Sequence, residues 1–344
     1  ERMAKTTGAG SIDQKLRLLS GLLADATPRE AKYLVRTVTG NLRLGIGDMS
    51  VLDALAIAYT GDKANRPIVE RAYNMSSDLG AVAKMVAEGG LEGIRTFKVT
   101  VGKPVQPMRA QRLPTAQEIL EKVGGTGAAE YKLDGERLQV HKRDDQVSLF
   151  SRRLENVLSQ YPDAAELSRT HINAEEAIVE CECVAVNPST GELMPFQELM
   201  HRRRKYGIEE AMKAYPVSLF MFDLLYANGE DYTIKPYAER RKALERFIIQ
   251  DDQVKIVPSL VTGELGKLEG FFEKAIEDGC EGLLIKDLNA PYEAGGRGFS
   301  WIKWKREYQS ELTDTLDLAI VGAFYGRGRR AGKYGAFLLA SGCQ

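Results

Sequence analysis

The stretch of sequence that decides the fold is residues 130–137, Glu-Tyr-Lys-Leu-Asp-Gly-Glu-Arg. Lys132 ends an apolar run, Asp134-Gly135 is a turn pair, and a second alternating run begins near Arg137. This order predicts a strand, a tight turn and another strand, with the Lys132 amine held beside the turn. The simplest alternative is an ordinary β-hairpin with an incidental surface lysine, since Asp-Gly turns are common in hairpins.

Short β-type runs separated by turns continue toward the C-terminus. With the first two included, the predicted strands are 129–133, 137–142, 147–151, 177–186, 217–226, 255–257, 282–286 and 301–305. Helical patterns lie between them at 198–215 and 236–247. Strands alternating with helices in this way predict an α/β domain with a mixed, largely antiparallel sheet over residues 104–312.

The N-terminal side of the chain has helical patterns. Apolar residues recur with a 3.6-residue period after Ser11, and Thr27-Pro28-Arg29-Glu30 has the order of a capping box with proline at the first helical position. Residues 101–113 contain two prolines and no helical period, which indicates a linker or an extended entry to a strand. The sequence therefore predicts an all-α domain over residues 1–103.

The last part of the chain returns to a β pattern. Alternating apolar residues at 318–320 and 337–339 flank a tract rich in glycine and arginine. This pattern predicts a β-hairpin that opens a small β-barrel of OB type over residues 313–344. The barrel is expected to be incomplete at Gln344.

Composition excludes several classes of protein. The 344 residues are 44% hydrophobic and 28% charged, which fits neither a disordered chain nor a collagen-like one. The formal net charge is −1, so any site for a polyanion must come from segregated charge. The 4 cysteines form neither a disulfide framework nor a zinc pattern, and we expect a reducing, intracellular setting.

Charged residues recur at the ends of otherwise apolar strands. Such charges are costly there unless they are paired or bind a metal ion. Lys303 and Lys305 are two apart and project from the same face of a strand, while Glu281 and Lys286 flank another strand. Lysines and carboxylates that converge on one groove suit a polyphosphate substrate with Mg²⁺.

The ordered motifs resemble those of the ATP-dependent DNA ligases, within the superfamily of covalent nucleotidyltransferases. They are Lys132-Leu-Asp-Gly, Ser151-Arg-Arg-Leu-Glu-Asn156, Phe222-Asp223, Glu281-Gly282 through Lys286, and Lys303-x-Lys305. The helical N-terminal part, with Leu42-Arg43-Leu44-Gly45-Ile46-Gly47, resembles the DNA-binding domain of archaeal and eukaryotic replicative ligases. The resemblance covers nearly the whole chain.

This resemblance implies a role for each motif residue. Lys132 would attack the α-phosphorus of ATP and form a lysyl-AMP adduct, from which AMP passes to the 5′-phosphate at a nick in duplex DNA. The 3′-hydroxyl would then displace AMP and seal the strand. The implied ligands of the nucleotide are Glu130 at the adenine edge, Phe222 at its face, Glu182 at the ribose, Arg137 and Arg152 at AMP or the 5′-phosphate, and Lys286, Arg297, Lys303 and Lys305 at phosphate. Glu281 and Glu182 would bind Mg²⁺ or Mn²⁺, and Arg43, Gly45 and Gly47 would contact DNA.

Several residues keep alternative interpretations. Phe222 within an apolar strand is typical of a core residue as well as of an adenine platform. Glu180 is placed to share the role of Glu182, and Asp134 and Asp223 suit structural roles. The basic run at 201–205 is typical of a solvated helix face and also of a surface that contacts the DNA backbone.

Differences from the family pattern define further expectations. The basic motif of the terminal barrel is not found before Gln344, so we expect a part of a larger ligase that adenylylates slowly or not at all. A sliding-clamp-binding segment is not recognisable, and no membrane partner is expected. The rival functions are an RNA ligase, an mRNA capping enzyme that uses GTP, and a nick-binding module without covalent chemistry. An NAD-dependent ligase fits less well, because its cysteine-rich zinc element is missing.

Overall fold

The structure is a computed structural model that describes residues 2–8, 10–40, 45–202, 207–306, 319–325 and 332–340. The chain separates into two units, one made of Glu1–Glu70 and Leu79–Thr96, the other of Arg71–Asp78 and Phe97–Gln344. None of the helices in these ranges has the length and apolar character needed to span a lipid bilayer.

The described elements of the first unit are helical, as predicted. The helices of this region, including one that crosses into the second unit, are α1 (Arg2–Lys5), α2 (Ser11–Asp25), α3 (Pro28–Val38), α4 (Asp48–Thr60), α5 (Arg66–Ser76) and α6 (Leu79–Arg95). The capping box at α3 is confirmed, because the Glu30 amide donates to the Thr27 hydroxyl and the Thr27 amide donates to the Glu30 carboxylate. Leu52 of α4 and Val82 and Val86 of α6 are buried where these two helices pack together.

The second unit contains two main sheets rather than the one that the sequence predicts. One sheet has the strand order β1-β11-β10-β2-β9, and the other has the order β4-β3-β5-β6-β7 with β8 beside β6. Pairing is antiparallel except for β1 with β11 and β6 with β8. The strands are β1 (Arg109–Arg112), β2 (Gly127–Lys132), β3 (Glu136–Arg143), β4 (Gln146–Ser151), β5 (Glu176–Ala185), β6 (Val217–Ala227), β7 (Glu230–Asp231), β8 (Val254–Ile256), β9 (Ser259–Thr262), β10 (Gly282–Asp287) and β11 (Arg297–Lys305).

Helices cover the outer sides of the two sheets. They are α7 (Ala116–Lys122), α8 (Pro162–His171), α9 (Phe196–Leu199), α10 (Ile208–Ala214), α11 (Tyr237–Phe247) and α12 (Leu265–Glu277). Helices α7 and α12 contact the five-stranded sheet, whereas α8 and α11 contact the six-stranded one. A third, two-stranded sheet pairs β12 (Ala319–Tyr325) with β13 (Tyr334–Ala340) in antiparallel register.

One predicted element is wrong, and an alternative left open for another is decided. The single helix expected over 198–215 is instead divided between α9 and α10, and α10 begins after Gly207, whose φ of 70° is left-handed. For residues 101–113, the structure favours the alternative of an extended entry to a strand over a linker, since the region contains strand β1, which pairs in parallel with β11. Its sequence, Arg-Ala-Gln-Arg, has no apolar alternation that would reveal a strand.

A buried histidine fastens the segment before β1 to the six-stranded sheet. The Gly102 amide donates to Nδ1 of His141 at 3.0 Å, and Nε2 of His141 lies 2.8 Å from the side-chain oxygen of Gln139. That oxygen also accepts from the Val105 amide at 2.7 Å. Because the ring must accept one bond and donate the other, it is neutral in this arrangement. Burial lowers the pKa of His141 to about 3.

This histidine predicts a loss of stability in mild acid. Below about pH 6.5, His141 binds a proton in the unfolded chain but stays neutral in the folded chain. The unfolded state is therefore stabilised as the pH falls, and the free energy of unfolding decreases. Relative to a His141→Gln variant, which does not titrate, the wild-type protein should lose on the order of 2–3 kcal/mol between pH 7 and pH 4.5. Urea unfolding of both proteins at the two pH values measures this. A constant difference in unfolding free energy would contradict it.

Candidate active site

The peptide that carries Lys132 links the two sheets. Strand β2 ends at Lys132 in the five-stranded sheet, and β3 starts at Glu136 in the six-stranded sheet, so the alternative of a simple hairpin is wrong. The crossing is tight, since a Cβ on Gly135 would collide with the Cys183 carbonyl oxygen of β5 and lie 3.0 Å from the Glu182 side chain. Glycine is therefore required where the chain enters the second sheet.

A cavity of about 600 Å³ lies where this crossing occurs. Side chains from both sheets line it, and it includes nearly all of the residues predicted for the nucleotide site. These are Glu130, Lys132, Arg137, Arg152, Glu182, Phe222, Glu281, Arg297, Lys303 and Lys305. The volume falls within the range of small-molecule pockets in proteins.

The strand register explains how these residues meet. In the antiparallel pairing, Lys132 lies opposite Gly282, which lies opposite Lys305. Two residues back along β2, Glu130 lies opposite Leu284, which lies opposite Lys303. Directly paired residues project from the same face of a sheet. Three strands therefore place two rows of functional side chains side by side.

Glu281 joins the two lysines of the first row. Its Oε2 atom forms an ion pair with Lys132 and another with Lys305, at 2.8 Å from the Lys305 ammonium. Burial alone would raise the pKa of Glu281, but the two lysines outweigh it and the pKa is lowered. An amine attacks only after it leaves such a pair and gives up its proton, so Lys132 is held in a resting position here.

Glu182 faces this group from the six-stranded sheet. Burial raises the pKa of Glu182 to about 7, and the negative charges of Glu136 and Glu281 add to this rise. The positive charges of Lys132 and Arg137 act in the opposite direction. With this pKa the Glu182 carboxylate is only partly ionised at neutral pH, and more positive charge beside it would favour the ionised form. A divalent cation bound between Glu182 and Glu281 would supply that charge, so these residues fit the metal that the sequence predicts. No three His, Cys, Asp or Glu side chains of the described residues form a ready-made metal cluster.

Arg137 is held by a partner that the sequence indicated only in part. Its Nη2 atom donates to both oxygens of Glu180 at 2.8 and 2.7 Å, and its Nη1 atom donates to the Met108 carbonyl at 2.8 Å. The Tyr292 hydroxyl also donates to Glu180. Glu180 is fully buried, so it holds Arg137 and does not share the position of Glu182 at the cavity. The Nε atom of Arg137 has no hydrogen-bond partner within the described residues.

Aromatic rings surround the guanidinium and form one wall of the cavity. The centre of the Arg137 guanidinium lies 5.3 Å from the Phe222 ring and 5.4 Å from the Trp301 ring. The two rings meet edge to face at 6.2 Å. Phe222 is largely buried and also lines the cavity, so it satisfies both interpretations of its sequence position. The sequence motifs assign no role to Trp301.

Lys286 lies deeper than its predicted role as a phosphate ligand requires. Its side chain is 0% exposed and is not among the residues that line the cavity. The ammonium donates to Glu130 at 2.7 Å and to the Phe222 carbonyl at 2.9 Å, and it lies over the rings of Tyr237 and Trp301. Burial lowers the pKa of Lys286 despite the nearby carboxylates. The geometry therefore places this charge behind the row that contains Glu130, away from the lysines at 132 and 305.

The remaining predicted residues lie at the edge of the cavity or elsewhere. Arg152, Arg297 and Lys303 line the cavity, with Arg109 and Arg153 beside them. Gly45, with a φ of 74°, and Gly47, which precedes α4, belong to the helical unit. Arg43 lies outside the described residues, as does part of the basic run at 201–205. The described part of that run includes Arg202, which is buried and paired with Asp163.

Two side chains of the site could not be found from the sequence. Tyr237 and Arg241 of α11 both donate to Glu130. They lie in a charged helical stretch that looks solvent-exposed in the sequence, and no motif marks them. A spacing of four residues, which places both on one helix face, was the available signal.

Comparisons with known proteins cover nearly the whole chain. A family model described as the ATP-dependent DNA ligase domain matches residues 107–305, and a model of the DNA ligase N terminus matches residues 1–56. Curated DNA ligases from Staphylothermus marinus and Acidianus ambivalens are 57% and 54% identical to this chain over 342 residues, which is 99% of its length. The chain spans about 57% of the length of these two relatives. A solved ligase domain of LigD from M. tuberculosis is 27% identical with a TM-score of 0.45, and the match covers 58% of this chain and 60% of that one.

Proposed function

Because this chain belongs to the ATP-dependent DNA ligase family, we propose that it takes part in sealing nicks in duplex DNA through an adduct of AMP with Lys132. The observation that supports this most is the placement of Lys132 in one cavity with Glu281, Glu182 and Lys305. A nucleophilic amine, two carboxylates and a cation within one pocket are the groups that nucleotidyl transfer requires.

The first step transfers the nucleotide to the protein. The Lys132 amine loses its proton and attacks the α-phosphorus of ATP, the bond to the β-phosphate oxygen breaks, and pyrophosphate leaves. The 5′-phosphate at the nick then displaces Lys132 from AMP, and the 3′-hydroxyl displaces AMP to form the phosphodiester bond. Each step is an in-line displacement, so rigid placement of Lys132 on β2 and of Lys303 and Lys305 on β11 favours it.

The other residues have roles consistent with their positions. Lys305 and Lys303 stabilise phosphate oxygens, Arg297 and Arg152 contact phosphate, and Arg137, which also lines the cavity, contacts AMP or the 5′-phosphate. Phe222 and Glu130 accommodate the adenine face and edge. Glu182 and Glu281 hold Mg²⁺ or Mn²⁺, with Glu182 near the ribose. When bound, the metal neutralises charge that develops on the phosphate oxygens.

For Lys286 we propose a role at the base rather than at phosphate. A single buried ammonium that bonds to Glu130 and to the Phe222 carbonyl fixes the two base-contacting residues relative to each other. A charge at this depth is stable only with such partners.

The domain assignments complete the proposal. Residues 1–103 form a DNA-binding domain in which Arg43, Gly45 and Gly47 contact the DNA backbone. Residues 104–312 form the adenylation domain, and the paired strands β12 and β13 belong to an OB-type barrel that starts near residue 313. A sliding clamp remains a proposed partner of the larger protein. The protein is proposed to work inside the cell.

The test of the proposed function is covalent labelling followed by nick sealing. The chain is incubated with Mg²⁺ and ATP labelled at the α-phosphate, with labelled GTP as the comparison, and the protein is resolved on denaturing gels. We expect label from ATP on Lys132 and its passage to a nicked duplex. Label from GTP alone would support a capping-type enzyme, and DNA binding without any label would contradict the proposal.

Binding to nicked duplex should depend strongly on salt. The cations that line the cavity include Arg109, Arg152, Arg153, Arg297 and Lys303. If three or four of them contact phosphates, affinity should fall about 100-fold between 50 and 200 mM salt. Replacing Arg152 and Arg153 by alanine should reduce the slope of log affinity against log salt by up to about 2. Arg169→Ala on α8 is the control and should leave the slope unchanged, and a flat response of the wild-type protein would contradict backbone binding.

A further inference from the structure

Glu130 is the most heavily bonded carboxylate of the nucleotide cavity. It is 1% exposed, yet it belongs to the residues that line the cavity. Its Oε1 atom accepts from the Tyr237 hydroxyl and from Nη1 of Arg241 at 3.1 Å, and its Oε2 atom accepts from Lys286 at 2.7 Å.

Counting acceptor positions shows what Glu130 can still do. A carboxylate has about four positions for donors, two on each oxygen. Tyr237 and Arg241 fill both positions on Oε1, and Lys286 fills one on Oε2. One acceptor position on Oε2 is therefore left, on a residue that lines the cavity, and it can take one N–H group.

The geometry points to Tyr237 and Arg241 as positioning residues that give the site its preference for a base with an amino group, by leaving Glu130 a single acceptor position. This inference rests on the proposed function and specifies how its base end is selected. A base that offers an N–H to Oε2 gains a hydrogen bond to a charged group, whereas a base without that donor leaves a buried acceptor position empty.

The two residues are themselves held rigidly. Arg241 also donates to the Val257 carbonyl at 3.0 Å, and Val257 lines the cavity. Between them on the helix, Arg240 pairs with the buried Asp223 next to Phe222. Helix α11 is thus fastened to the strand that carries the adenine platform, and Glu130 cannot turn away without breaking several bonds.

Tyr237 is suited to donate to Glu130 and not to accept from it. Burial and the neighbouring Glu130 carboxylate raise the pKa of Tyr237 well above its usual value, so the hydroxyl keeps its proton. Removal of the hydroxyl alone, in Tyr237→Phe, preserves the ring that lies 4.6 Å from the Lys286 ammonium. This variant therefore tests the hydrogen bond with the least change in packing.

The experiment compares two nucleotides that differ in one group. Equilibrium binding of ATP and of purine ribonucleoside triphosphate, which lacks the 6-amino group, is measured by calorimetry in the Lys132→Ala background, where no covalent reaction interferes. We expect Tyr237→Phe to weaken ATP binding about tenfold and to leave binding of the purine triphosphate within about twofold. Arg241→Met is the second variant. Like Tyr237→Phe, it should lower the ratio of the affinity for ATP to the affinity for the purine triphosphate.

Tyr226→Phe is the matched control, because the Tyr226 hydroxyl donates to the Glu176 carboxylate at 3.0 Å and neither residue lines the cavity. It should leave both affinities unchanged. The inference would be overturned if Tyr237→Phe and Arg241→Met weakened the binding of both nucleotides equally, or if they changed neither affinity. Absence of ATP binding in the protein with Tyr237 intact would also overturn it. Failure of the wild-type chain to label with ATP would contradict the proposed function instead, and the ratio of affinities would still decide the role of Tyr237.

Discussion

Lys132→Ala is expected to abolish covalent labelling by ATP while the protein stays folded. Loss of the attacking amine lowers the rate by roughly four or more orders of magnitude, because the Lys305 amine starts from a different strand and is not placed where Lys132 attacks. Stability should change little, since the Lys132 and Glu281 side chains are 28% and 27% exposed and such a pair contributes at most about 1 kcal/mol. Mass spectrometry after incubation with ATP and Mg²⁺ measures the adduct, and urea unfolding measures the stability.

Two further substitutions make this result specific. Lys132→Arg keeps the positive charge and the partner Glu281, but a guanidinium stays protonated and should form no adduct. Lys267→Ala removes an exposed lysine of α12 that pairs with Glu264, and it should label like the wild-type protein. An AMP adduct that persists in Lys132→Ala, for example on Lys305, would show that the nucleophile has been assigned wrongly.

Gly282→Ala is expected to damage both stability and labelling. Gly282 has a φ of 141°, and a Cβ there would collide with the Trp304 carbonyl oxygen and approach the Lys305 Cα atom to 3.0 Å. Both obstacles are backbone of the paired strand β11, which cannot move without breaking the ladder beside Glu281 and Lys305. The cost should be about 3–5 kcal/mol in unfolding free energy, and labelling should fall with it.

Gly270→Ala is the control for this substitution. Gly270 lies in α12, and a Cβ added there would meet nothing within 4 Å, so alanine should raise the unfolding free energy by about 0.5–1 kcal/mol. Urea unfolding of the two variants beside the wild-type protein gives the comparison. If Gly282→Ala were as stable as Gly270→Ala, the tight contact of β10 with β11 would be disproved.

Local signals in the sequence were sufficient for much of the fold. The capping box at Thr27 and Glu30 depends on residues three apart, and the strands that carry Lys132, Glu182 and Lys305 are short, largely apolar runs interrupted by charged residues. These patterns are set by neighbouring residues, so they can be recognised without knowledge of the tertiary structure. The convergence of the motifs on one cavity followed from the family resemblance.

Long-range pairing limited what the sequence revealed. No local pattern shows that β2 and β3 enter different sheets, because strand, turn and strand have the same appearance in a hairpin. Lys286 is buried because it pairs with Glu130, and that partner lies more than 150 positions earlier in the chain. Tyr237 and Arg241 were missed for the same reason, since their partner is on another element and their own helix has a polar composition.

The position of Glu130 and Lys132 on one strand has a consequence for ligand size. Two residues along a strand advance about 6.6 Å, and the backbone fixes this spacing more firmly than side-chain torsions would. Under the proposed function, the distance from the base to the reacting phosphorus of a bound nucleotide must match this fixed spacing. A compound with extra atoms between base and sugar could contact Glu130 or place its phosphorus at Lys132, but not both at once. We therefore expect such a compound to be a poor substrate because of its length alone.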